Sequence, residues 1–102
     1  MIEDLLKIVN HYGIDKQLKY IHSEYYELDE AILKAEQFEP QSFTQLNVNM
    51  ESYINHIAEE IADICVMLGQ FQHYYGIKDE LIESIMQSKI KRQLERIESE
   101  QK

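Results

Sequence analysis

Residues Met50–Tyr75 read MESYINHIAEEIADICVMLGQFQHYY, and this stretch decides the fold. Ile54, Ile57, Ile61, Ile64, Leu68 and Phe71 recur three or four residues apart, with Cys65 beside Ile64, which is the spacing of one helical face. Around Ala62 to Leu68 the segment is apolar on nearly every side, which predicts burial by more than one neighbour. Asp63 is the only charge in the run Ile61–Leu68, and Glu60 stands one turn before it. A carboxylate in such surroundings is costly to bury unless it is paired or bound to a cation.

Working outward, the rest of the chain is also helical. Ile2, Leu5, Leu6 and Val9 predict a short amphipathic helix that stops near Gly13. Asp15 is placed to cap a second helix with a stripe of Leu18, Ile21, Tyr25, Leu28, Ile32 and Ala35, ended by Pro40. Glu39–Asn49 is polar and reads as a loop, with Asn49 as the N-cap of the long helix. Gly76 breaks that helix. A fourth runs from about Lys78 towards Glu98, with Leu81, Ile82, Ile85, Met86, Ile90, Leu94 and Ile97 on its inner face and fraying from Ser99 to Lys102. Residues 1–102 are thus expected to form one all-α domain, a four-helix bundle.

Composition narrows the function. The net charge of −9 argues against a nucleic-acid partner, since such proteins need positive charge to displace counterions. No apolar run approaches membrane-spanning length, and the start of the chain lacks the features of a signal peptide. The lone Cys65, among apolar neighbours, reads as a buried thiol and suits a reducing compartment. A cytoplasmic location is the expectation.

The acidic pattern of the long helix occurs a second time. Glu24 and Glu27 lie three apart on the second helix, as Glu60 and Asp63 do on the third, so each pair spans one turn and reaches one point. Glu24 falls inside the apolar arc of its helix and Glu27 just outside it, while Ala31, Ala35 and Ala62 leave room nearby. Four carboxylates converging in a bundle point to a hard divalent cation and to chemistry on phosphates. Lys89, Arg92 and Arg96 share one face of the fourth helix and are candidate phosphate partners, although cations near a helix C-terminus are also favoured by its dipole. Lys16, Gln17 and Lys19 are weaker candidates. Tyr53 and Phe43 are the picks for stacking on a base, and His56, one turn before Glu60, is the histidine of interest.

Two segments carry a family resemblance. Ser23-Glu24-Tyr25-Tyr26-Glu27-Leu28-Asp29-Glu30-Ala31-Ile32 resembles the "EExxELxxAI" segment of the MazG-like all-α nucleoside triphosphate pyrophosphohydrolases, and Ala58-Glu59-Glu60-Ile61-Ala62-Asp63-Ile64 resembles their "EExxD" segment. Gly76-Ile77 and the helix carrying Lys89, Arg92 and Arg96 are similar to the family's closing helix. The likeness spans residues 14–97. Ser23 stands where many members have a Glu, and Tyr20 where many have a Lys.

The resemblance implies that Glu24, Glu27, Glu60 and Asp63 are ligands of Mg²⁺, with Mn²⁺ as a substitute and Glu24 or Glu27 as general base. It implies cleavage of a nucleoside triphosphate between the α and β phosphates, to monophosphate and pyrophosphate. It also implies a homodimer or homotetramer. The alternatives are a di-metal carboxylate bundle and a non-catalytic helical interaction module. The first is disfavoured because no Glu stands three residues before any of the four histidines.

Overall fold

The computed structural model describes residues 1–38 and 43–101, and for residues 43–49 the backbone alone. Four helices follow one another: α1 (Ile2–Tyr12), α2 (Ile14–Glu36), α3 (Phe43–Tyr74) and α4 (Asp79–Glu100). The all-α expectation holds, with no strand among the described residues.

Gly13 lets α1 turn directly into α2. Its φ of +92° is a conformation that a side chain disfavours, and its N–H closes the last turn of α1 on the Val9 carbonyl at 2.8 Å. Because α2 starts at Ile14, Asp15 lies inside the first turn and favours the positive end of the helix dipole instead of capping it. α2 ends at Glu36, and the expected stop at Pro40 lies outside the described residues.

The largest correction is at the start of α3. The helix begins at Phe43, so residues 43–49 are helical where a loop was expected, and Asn49 is an interior residue and not a cap. Phe43, Leu46 and Met50 are spaced three and four apart, which suits a helix, and the propensity penalty of Thr and Asn is only about 0.5 kcal/mol each. The part of the loop at 39–42 is outside the described residues.

α2 and α3 form an antiparallel pair, and α1 packs mainly on α3. The core is thin. Val9, Ile21, Ala31, Ile64 and Met67 are its buried apolar members, with Leu5 at its edge. Leu5 reaches α3 at Gly69, where an added methyl would lie 2.9 Å from Leu5 Cδ1, so the glycine permits the close approach of α1. Gln17 and Gln70, also buried, meet across the pair through Nε2 of Gln17, which donates to Oε1 of Gln70 at 2.8 Å.

α4 does not join this core. Among the described residues it packs against none of α1, α2 or α3, and none of its residues is buried. The face expected to point inward is therefore exposed. The same shortage of neighbours corrects two expectations for α3. Cys65 is exposed, and of the run Ala62–Leu68 only Ile64 and Met67 are buried. No helix among the described residues is long and apolar enough to cross a membrane.

Candidate metal centre

The two acidic pairs meet. One carboxylate oxygen from each of Glu24, Glu27, Glu60 and Asp63 lies within 4.8 Å of the other three, at the seam between α2 and α3. The one-turn spacing aims both members of a pair at the seam, and the antiparallel packing brings the two pairs opposite each other. Among the described residues this is the group of acidic, histidine or cysteine side chains able to share one ion.

Its inner and outer halves differ. Glu24 is buried, and the Glu60 side chain is only 12% exposed, whereas Glu27 and Asp63 are open to solvent. Oε2 of Glu24 and Oε2 of Glu60 are both shielded from water and have no hydrogen-bond partner. Two orphaned carboxylate oxygens aimed at the same seam represent a large unmet electrostatic demand. Burial pushes the carboxyls of both Glu24 and Glu60 above the ordinary range, and the negative charges of Glu27 and Asp63 push them further. Nε2 of His56 lies 3.4 Å from Oε1 of Glu60 and opposes that rise. The Tyr20 phenol is itself held above its usual range, chiefly by the charge of Glu24. An all-oxygen set with two unsatisfied buried atoms fits a hard divalent cation better than it fits a structural salt bridge, because no lysine or arginine is paired with any of the four among the described residues.

Tyr20 also links the carboxylates to a groove. Ile8 and Tyr12 of α1, Lys16, Gln17 and Tyr20 of α2, and Val66, Met67 and Gln70 of α3 line a depression of about 410 Å³. Its walls are mainly apolar and aromatic, and the Gln17–Gln70 amide pair lies in its floor. Lys16 holds its ammonium 5.2 Å from the centre of the Tyr12 ring. A cleft of this size, with few polar groups beside a charged centre, suits a small organic ligand.

The other sequence candidates lie elsewhere. Lys89, Arg92 and Arg96 are exposed on α4, which approaches neither α2 nor α3, so the chain does not bring them to its own carboxylates. Tyr53 packs on Phe38 with ring centres 5.1 Å apart and is absent from the groove, while the side chain of Phe43 is outside the described residues. Tyr12 and Tyr20 were not singled out from the sequence as ligand-facing. Their only signal is the i, i+4, i+8 run Tyr12–Lys16–Tyr20 leading up to Glu24. Compared with family models, curated proteins and solved structures, the chain has no match.

Proposed function

We propose that the protein is a Mg²⁺-dependent nucleoside triphosphate pyrophosphohydrolase, cleaving its substrate to the monophosphate and pyrophosphate, as its resemblance to the MazG-like family implies. The observation that carries this reading is the convergence of four carboxylates, two of them with orphaned buried oxygens, next to Tyr20, which also lines a largely apolar groove.

Glu24, Glu27, Glu60 and Asp63 would hold the ion. Bound there, Mg²⁺ supplies charge neutralisation for the triphosphate and lowers the pKa of a coordinated water. The protein's own part begins with the groove, where Tyr12 and Tyr20 offer faces for a base and the Gln17–Gln70 amides offer polar contacts. Lys16 stands at the same groove and provides a cation for an anionic ligand. With the nucleoside so held, the α-phosphate reaches the carboxylates. Glu24, whose carboxyl burial holds above the ordinary carboxylate range, or Glu27 beside it, takes a proton from the attacking water. The water oxygen bonds to the α-phosphorus, the bond to the α–β bridging oxygen breaks, and pyrophosphate leaves.

The test is a panel of ribo- and deoxyribonucleoside triphosphates incubated with Mg²⁺, with products separated by ion-exchange chromatography. At least one substrate should give equimolar monophosphate and pyrophosphate. Appearance of a diphosphate and inorganic phosphate, or no turnover of any triphosphate, would overturn the proposal.

A further inference from the structure

Each of the two helices at the carboxylate seam carries a third polar side chain in the same register. Tyr20 stands four residues before Glu24 and His56 four residues before Glu60, so the orders Tyr20–Glu24–Glu27 and His56–Glu60–Asp63 match position for position. Residues four apart on a helix lie one above the other and can touch. Because α2 and α3 run antiparallel, Tyr20 flanks the seam at one end and His56 at the other.

These two neighbours meet the two acids that are withdrawn from water. The Tyr20 hydroxyl is within hydrogen-bonding reach of the Glu24 carboxylate, a contact that offsets part of the rise that burial causes there. Since Oε2 of Glu24 has no partner, the oxygen that takes this contact is Oε1. On α3, Nε2 of His56 lies 3.4 Å from Oε1 of Glu60, and again Oε2 is buried with no partner. Each buried glutamate thus has one oxygen faced by a group on its own helix and the other left for the seam. A similar pair stands elsewhere on α2, where the Tyr26 hydroxyl donates to Oε1 of Glu30 at 3.0 Å. Both of those residues are exposed, and neither belongs to the convergent group.

A carboxylate that must be turned when a cation arrives loses conformational freedom at that moment, whereas one already aimed does not. A donor on one oxygen fixes the carboxylate plane and so aims the other oxygen. We infer that Tyr20 and His56 are positioning residues of the cation site: each holds Oε1 of the glutamate one turn later, so that Oε2 of Glu24 and Oε2 of Glu60 face the ion as fixed ligands. Glu27 and Asp63, open to water, are then the adaptable half of the ligand set. A phenol and a neutral imidazole suit this task, because each donates a hydrogen bond without bringing a positive charge to compete with the ion. The assignment rests on reading the four carboxylates as a cation site. It gives the Tyr20 hydroxyl a task separate from that of its ring, which lines the groove.

Mn²⁺ is the probe, because its free ion is counted directly by electron paramagnetic resonance. Titrated into the full-length protein at pH 8, it should bind Tyr20→Phe and His56→Leu each about tenfold more weakly than wild type, the loss typical of an outer partner of a metal ligand. Tyr20 is 54% exposed and the His56 side chain 43%, so both variants should keep the fold, which circular dichroism in chelator checks. His56→Gln retains an N–H donor and should bind Mn²⁺ as wild type does. So should Tyr26→Phe, which removes the equivalent hydroxyl from the outer pair. The sign is decisive at His56. A histidine acting as a cation paired with Glu60 would repel the ion, so His56→Leu would then bind Mn²⁺ more tightly. That result overturns the assignment while leaving the cation site, and so does unchanged affinity in either Tyr20→Phe or His56→Leu. Equal losses in His56→Gln and His56→Leu would also overturn it, since ring packing would then be the cause. A wild type that binds no Mn²⁺ removes the cation site and the assignment with it.

Discussion

Glu24→Gln isolates the electrostatics of the carboxylate centre, because it keeps the side-chain shape and removes one buried charge. In the metal-free protein that charge lies within 4.8 Å of oxygens on Glu27 and Asp63. Coulomb's law at that separation gives about 3.5 kcal/mol for a dielectric of 20 and about 0.9 kcal/mol in water. Glu27 and Asp63 are exposed, so the lower figure applies to each. The two pairs together amount to about 1.7 kcal/mol, so the variant should melt above wild type in chelator, by about 7–14 °C at the sensitivity typical of a domain this size. In Mg²⁺ the order reverses. A ligand at a hundredfold excess over its Kd stabilises the wild type by about 2.7 kcal/mol, a rise of about 10–20 °C, and Glu24→Gln should lose most of it. Differential scanning fluorimetry in chelator and in Mg²⁺, with Glu36→Gln on the outer face of α2 as control, measures both halves. If Mg²⁺ raises the melting temperature of Glu24→Gln as much as that of wild type, Glu24 is not a ligand. If the metal-free variant melts well below wild type, the charge was compensated and the account of mutual repulsion fails.

Three further outcomes follow from the same geometry. Because the carboxyls of Glu24 and Glu60 are held above their ordinary value of 4.5 in the folded state, the native protein binds more protons than the unfolded chain just above that pH. Metal-free stability should consequently rise as pH falls from neutrality towards 4.5, and melting in chelator at pH 8, 6.5 and 5.5 checks the sign. Tyr12→Ala removes an exposed groove wall without touching the carboxylates, so KM should rise about tenfold, the order expected for losing one base–aromatic stack, with the Mg²⁺-induced melting shift intact; an unchanged KM would exclude the groove as the nucleoside site. Gly76→Ala forces a side chain into the left-handed region at φ +66° and should destabilise by about 1–2 kcal/mol, a cost visible as a lower melting temperature.

Much of this was legible in the residues because helices announce themselves locally. The three- and four-residue apolar spacing gives α1, α2 and the body of α3, and the one-turn acidic pairs give the centre, since a pair on a single helix needs no knowledge of its neighbours. What could not be read was how many neighbours each face would have. Cys65 and the stripe of α4 look like core by composition, yet the corner at Gly76 sends α4 away and leaves them exposed. The start of α3 was misplaced because Thr44, Asn47 and Asn49 suggest a turn by type although their neighbours keep a helical period. The groove was invisible for a different reason. Tyr12, Tyr20, Met67 and Gln70 come from three helices, and only the packing of α1 against the α2–α3 pair brings them together.

The buried Gln17–Gln70 hydrogen bond acts as a vernier for the carboxylate centre. Seven residues along α2 from Gln17 is Glu24, and seven residues back along α3 from Gln70 is Asp63; three more on each helix reach Glu27 and Glu60. Greasy stripes repeat every turn and tolerate a slip of about 5.4 Å with little penalty, whereas two amides buried in an apolar seam have one alignment in which both are satisfied. Replacing both with leucine is then expected to leave a helical and equally stable protein in which the α2–α3 alignment is no longer unique. Such a protein would melt normally and yet hold its four carboxylates together only part of the time, separating the capacity to fold from the capacity to assemble the site.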